Sequence, residues 1–206
     1  MTGLYFWSFH EEERSLETDR KRQIIEAAGR SFATFGYKAT TMELVAKLAG
    51  VGKGTIYTFF ETKEELFGAI IESFKQELRN VAEEAIDRDL PFFDNLANVL
   101  NRILVYRDQH ALFVKLSQEV RDIGTQVAKE GLHSLEHSVV DYIEREVRAA
   151  ADKGEIRPGN TMVTAYSMLK LYLALSTDWN DRFEPLPRER IAEYFTQLFR
   201  SGLEAR

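Results

Sequence analysis

The chain has 206 residues, 44% of them hydrophobic and 29% charged, with a net charge of −6. That is enough apolar chain for one or two ordinary domains, and only 12 Gly and 4 Pro exclude collagen-like, low-complexity and disordered readings. The absence of Cys excludes a disulfide framework, a thiolate nucleophile and a Cys-type zinc site.

Apolar residues recur at steps of three and four almost throughout and alternating strand patterns are absent, so the fold class is all-α. A first helix is predicted from about Thr18, as its N-cap, to Phe35, with Ile24, Ile25, Ala28, Phe32 and Phe35 on one face. Gly36 ends it. Thr40, three residues before Glu43, fits a capping box that opens a short second helix ending at Ala49-Gly50. A third short helix covers about Lys53 to Phe60. Thr62 and Glu65 form another capping box, and a fourth helix runs from there to about Ile86. Further helices are predicted from about Pro91 to Tyr106, Gln109 to Val120 and Thr125 to Asp152. The last of these contains Gly131, which costs about 1 kcal/mol relative to Ala. Asn160 caps the most apolar helix, over Thr161–Asp181, and Pro185 and Pro187 separate it from a final helix over Arg188–Leu203.

The acidic total hides an asymmetry: residues 1–17 sum to −3, residues 18–63 to +4 and residues 64–206 to −7. A small basic module before a larger acidic one points to a nucleic-acid contact confined to one end. No segment reaches the ~18 apolar residues that a membrane span needs. The aromatic run Tyr5-Phe6-Trp7 is followed by acidic residues rather than preceded by basic ones, unlike a secretion signal. A soluble cytoplasmic protein with no membrane partner is expected, with residues 1–17 either a flexible extension or a packing arm.

Two short helices joined by a Gly-containing turn are the helix-turn-helix arrangement. Ala46 is small where crossing helices touch, and Gly50 suits a turn that needs positive φ. Leu44, Val45, Val51 and Ile56 are apolar at the spacing that packs the pair together. A recognition helix lies in the major groove with its N-terminal residues toward base edges. Lys53, Thr55 and Thr58 lie on its polar face. Lys53 can donate to guanine O6 or N7, and the threonines can hydrogen-bond or set a methyl against thymine. Gly52 and Gly54 let backbone approach DNA closely, and Tyr57 offers a hydroxyl to a phosphate. Thr40 or Thr41 opens the second helix, whose N-terminus offers free N–H groups to phosphate, and Lys63 adds a charged donor. Phe32, Phe35 and Phe60 are read as core of this module.

The stretch Gly36-Tyr37…Thr41-Met42…Val45…Val51-Gly52-Lys53-Gly54-Thr55-Ile56-Tyr57-Thr58-Phe59-Phe60-Glu61-Thr62-Lys63 resembles the DNA-binding domain of the tetracycline-repressor (TetR) family, over about residues 20–66. The resemblance implies a homodimeric repressor, released from a palindromic DNA operator when a small molecule enters its C-terminal domain. It places Thr41, Tyr57 and Lys63 at phosphate-contacting positions and Lys53, Thr55 and Thr58 near bases. The family often has Ser at the position of Gly52 and His at that of Phe59, so one cap and one donor do not carry over. The organisation expected is an N-terminal extension over 1–17, a three-helix DNA-binding domain over 18–66, and a helical bundle for effector binding and dimerisation over 67–206.

In that bundle, effector pockets should be apolar and aromatic with a few polar groups. Phe92, Tyr106, His110, Phe113, Met162 and Tyr166 are the candidates, and an apolar or amphipathic effector is expected. Tyr172, Leu175, Ile191, Tyr194, Phe195, Leu198 and Phe199 give the last two helices more apolar surface than a small core needs, which predicts a dimer interface. His133 and His137 have metal-ligand spacing but no third ligand nearby in sequence. With Ser134 and Ser138 they share one helix without a nucleophile elbow, so neither enzyme activity, metal nor cofactor is expected. The alternative reading is a dimeric interaction or small-molecule-binding module that has lost sequence-specific DNA binding.

Overall fold

Gly36 sits at φ 79°, ψ 173°, a conformation open essentially to glycine alone, and it makes the first corner of the molecule. The computed structural model describes residues 4–109, 125–157 and 159–204, with side chains over 17–106, 125–157 and 159–204. The regular elements among them are helices: α1 (Leu4–Ala39, bent at Gly36), α2 (Met42–Leu48), α3 (Lys53–Phe59), α4 (Lys63–Ala85), α5 (Phe92–Gln109), α6 (Gln126–Asp152), α7 (Thr161–Ser176) and α8 (Arg188–Leu203). A 3₁₀ turn, Asp178–Asp181, follows α7. None is long and apolar enough to cross a membrane. The short helix expected over 109–120 lies beyond Gln109 outside the described residues.

Several expectations need correction. The first helix does not start at Thr18: α1 already runs from Leu4, so Thr18 is an interior residue. Phe35 is half exposed rather than core, because the chain turns at Gly36 and Tyr37 takes the inward place. The N-cap of α2 is Thr41, whose hydroxyl accepts from the Leu44 N–H at 3.1 Å; the Thr40 hydroxyl is buried and spent elsewhere. α7 stops at Ser176, where Thr177 leaves helical geometry (φ −126°, ψ −62°) and the Asn180 side chain donates to the Ser176 carbonyl.

Contacts gather the helices into two units. The first holds residues up to Ser73 and the start of α6 as far as Gly131; the second holds Phe74 onward through α5, and Leu132 to the end. The first unit is built on Ile24, Ala28 and Phe32 of α1, Val45 and Ala46 of α2, Ile56 of α3, and Leu66, Phe67, Ile70 and Ile71 of α4. At its centre Phe32 stacks on Tyr37 (ring centroids 5.6 Å), and Phe67 meets both edge-on at 5.2 Å. Such pairs add about 0.5–1.5 kcal/mol each beyond burial. At α4, Thr62 accepts from the Glu65 N–H, while the Glu65 carboxylate reaches back to the Glu61 N–H.

In the second unit α5, α6, α7 and α8 share a core of Phe93, Leu100, Leu104, Val147, Met168, Ile191 and Phe195. The buried Glu144 carboxylate is satisfied by Arg148 and by the Thr161 hydroxyl at 2.6 Å. The Arg157 N–H donates to the Leu203 carbonyl at 2.7 Å, tying down the end of α8. Polar pairs fix α4 here: Tyr106 donates to Glu77 at 2.6 Å, and Arg88 bridges Glu83 (2.9 Å) and Glu146 (2.8 Å). Burial, then the bond to Glu77, pushes the Tyr106 hydroxyl far above its ordinary range.

Gly131 has a steric reason that the sequence does not disclose. A Cβ there would stand 2.8 Å from the Phe67 ring and 3.3 Å from Ile71, both held in the first unit's core. Gly131→Ala gains helix propensity of about 1 kcal/mol but overpacks this contact by about 1–3 kcal/mol. The expected outcome in thermal or urea denaturation is net destabilisation on the order of 1 kcal/mol; a more stable variant would show that the contact relaxes freely.

Candidate nucleic-acid interface

Buried Ile56 anchors α3 in the first unit's core. Burying such a side chain is worth about 1.5–3 kcal/mol. With Ile56 inward, Lys53, Gly54, Tyr57 and Thr58 of the same helix are exposed, and Thr55 is half-buried. The turn into the helix is closed by the Val51 N–H on the Ala46 carbonyl at 3.0 Å, with Gly50 at φ 67°. Gly52 stands at the N-cap without a side-chain cap. Neither Gly52 nor Gly54 has positive φ, and a Cβ at Gly54 meets no protein atom within 4 Å. The protein's own packing therefore does not require Gly54. The exposed Thr58 hydroxyl donates to the Thr55 carbonyl at 2.7 Å, which leaves it as an acceptor.

Lys53 is not a free cation. Its Nζ lies 2.6 Å from the Glu43 carboxylate in the first turn of α2, and the side chains are 65% and 55% exposed. Their hydrogen bond lowers the Glu43 carboxyl and raises the Lys53 ammonium from their ordinary values. Sequence reasoning missed this partnership, although opposite charges opening the first turns of two packed helices were a signal for it.

Two other expected residues turn inward. Thr40 is fully buried: its hydroxyl donates to the Gly36 carbonyl at 2.9 Å and pairs with Ser31 at 3.0 Å, so of the two threonines expected to open α2 toward a phosphate only Thr41 stands at the exposed helix start. Lys63 donates to the carbonyls of Tyr37 (2.9 Å) and Thr40 (3.2 Å), with its ammonium 4.2 Å from the centre of the Tyr37 ring. An ammonium has three donors, so one is left for an outside acceptor. Tyr37 in turn donates to Glu64, which holds that carboxyl below its ordinary value.

Residues 24–70 match the family described as bacterial regulatory proteins, tetR family. The chain is 45% identical over 190 residues to YhgD, an uncharacterized HTH-type transcriptional regulator of Bacillus subtilis (strain 168), covering 92% of this chain and 100% of the relative. The chain belongs to the TetR family. It is a helix-turn-helix transcriptional regulator by that membership. It is also 24% identical over 148 residues to the fatty acid metabolism regulator protein of the same strain, covering 71% of this chain and 76% of the relative. Its fold matches the crystal structure of Bacillus subtilis FadR in complex with stearoyl-CoA, with a TM-score of 0.73 and 22% identity, over 88% of this chain and 98% of that one.

Within this TetR-family fold, the residues expected at an effector pocket scatter. Phe92 is half-buried and meets Phe93 edge-on, and Tyr106 lies against Phe74 with its hydroxyl on Glu77. Met162 and Tyr166 stand about half exposed with Val163 on the outside of α7, which corrects their placement in a cavity of the single chain. His110 and Phe113 lie outside the described residues. Of the expected interface residues, Tyr194 and Leu198 are exposed on α8, while Tyr172, Leu175 and Phe199 pack half-buried against the second core. Ile191 and Phe195 are corrected outright: they fill the chain's own core against α5, which leaves them no surface for a partner. His133 is exposed, and His137 faces Asp141 at 3.6 Å.

Lys63→Met removes two charge-assisted bonds to carbonyls at the α1–α2 corner. Without DNA present, chemical denaturation is expected to show a loss of about 1–3 kcal/mol. Unchanged stability would mean that Lys63 does not brace the corner.

Proposed function

We propose that the chain is a homodimeric, ligand-responsive repressor that seats α3 in the major groove of each half-site of a palindromic operator. The observation that carries this reading is the division of α3, with Ile56 locked inward and Lys53, Gly54, Tyr57 and Thr58 outward. Lys53, Thr55 and Thr58 then face base edges, Lys53 donating to guanine O6 or N7. Tyr57, Thr41 and the remaining donor of Lys63 serve phosphates, which set position rather than sequence. Gly52 and Gly54 leave the backbone bare where DNA would approach.

Dimerisation is supported by Met162, Val163 and Tyr166 on α7 and Tyr194 and Leu198 on α8, large apolar side chains exposed at helical spacing. A two-fold partner matches a two-fold operator. The effector is an apolar or amphipathic molecule, a reading supported by the fatty acid metabolism regulator among the relatives and by stearoyl-CoA in a structural neighbour. Release follows if that molecule prefers the non-DNA state, with α4, which supplies residues to both units, as the moving element. Such a protein works in the cytoplasm.

Selection from a random duplex library across salt concentrations tests the reading. A palindrome should be enriched, and affinity should fall steeply with salt. Lys53→Ala should relax preference at one base pair per half-site by about 1–3 kcal/mol, whereas Tyr57→Phe should weaken all sequences evenly. No enrichment at any salt would overturn the regulator reading in favour of a module that no longer reads DNA.

A further inference from the structure

We propose that Glu43 is a specificity-determining residue that positions Lys53, holding its ammonium over the base edges and away from the phosphates. The inference rests on the DNA-reading function proposed above.

The geometry is specific. Glu43 belongs to α2 and Lys53 opens α3, and their 2.6 Å contact spans the exposed side of the helix pair. An exposed ion pair of this kind adds little to folding stability, and a carboxylate in the first turn of α2 adds only modestly through the helix dipole, so stability explains the carboxylate but not its placement against Lys53. Its cost in DNA binding is larger. A carboxylate beside a polyanion subtracts from the phosphate attraction that drives non-specific affinity. A repressor that needed only affinity would be better served by an uncharged residue at this position.

What the carboxylate provides is restraint. A free lysine has a flexible four-carbon stem and swings readily to the nearest phosphate. With one of its three donors on Glu43, the Lys53 ammonium keeps two for a neighbouring acceptor pair, as guanine O6 and N7 offer. The pair thus converts a mobile cation into a base reader, and it penalises sequences that offer Lys53 no acceptor.

Glu43→Gln keeps the shape and removes the charge. Binding-site selection and salt titrations are run on the full chain for the wild type, Glu43→Gln, Lys53→Ala and the double variant, with far-UV circular dichroism as a check on folding. The expected result for Glu43→Gln is about three- to tenfold tighter binding to non-specific duplex at low salt, with a steeper salt dependence as Lys53 joins the phosphates. It should also lose base preference at the same position that Lys53→Ala loses. The double variant should match Lys53→Ala at that position, because the two residues act as a unit. A residue with a merely structural role would leave the base preference unmoved. If the wild type enriches a site and Glu43→Gln keeps every base preference, the proposal fails alone. A changed preference at a position that Lys53→Ala leaves intact would mean that Glu43 reads a base itself, and would also overturn it. If the wild type enriches no site, the regulator reading fails and takes this proposal with it.

Discussion

The helix-turn-helix of the first unit depends on one corner, the four residues between the bend of α1 and the cap of α2. Gly36 takes a backbone conformation that a Cβ would forbid, and that frees Tyr37 to turn inward onto Phe32 and Phe67. The turned backbone exposes carbonyls, and Lys63 from the start of α4 takes two of them while lying over the Tyr37 ring. The Gly36 carbonyl is taken by the Thr40 hydroxyl, itself paired with Ser31. The turn that Gly36 permits is thus held by an aromatic cluster, a cation and two buried hydroxyls. The direction of α2 follows from that corner, and α3 follows from α2 through the Gly50 turn.

That arrangement separates rigidity from recognition. The groups that hold α3 in place, Ile56 and the corner around Tyr37, are buried and costly to disturb. The groups on its outer side are exposed, and their mutual interactions contribute little to stability. On the reading proposed above, change at Lys53, Thr58 or Glu43 would then alter what is read without unfolding the reader. Regulators of one family can differ in operator while sharing a fold on this basis, since function resides in the site grafted onto the scaffold.

Much of the fold was legible in the sequence because the signals were single-valued. Glycine is favoured by the positive φ at positions 36 and 50, and periodicity together with capping residues, Gly50 and the prolines before α8 marked α2, α3 and α8 to within a residue or two. What stayed hidden were choices between equivalent residues. Thr40 and Thr41 are both able to cap α2, and Thr40 turns inward onto Ser31, nine residues back in the chain, and the Gly36 carbonyl, partners that spacing does not reveal. On α8, Ile191 and Phe195 form one apolar row and Tyr194 and Leu198 another; spacing does not tell which row meets α5 and which meets solvent. The Glu43–Lys53 pair escaped notice for a related reason. Its two members lie ten positions apart and meet only because the helices cross.

The central claim is that α3 is the element that reads DNA, and amide hydrogen exchange on the full chain, with and without its selected operator, tests it most directly. The account predicts slowed exchange at residues 52–58 and at the start of α2, with the exposed faces of α7 and α8 unchanged by DNA. Slowed exchange at α7 or α8 while 52–58 stays at its DNA-free rate would contradict it.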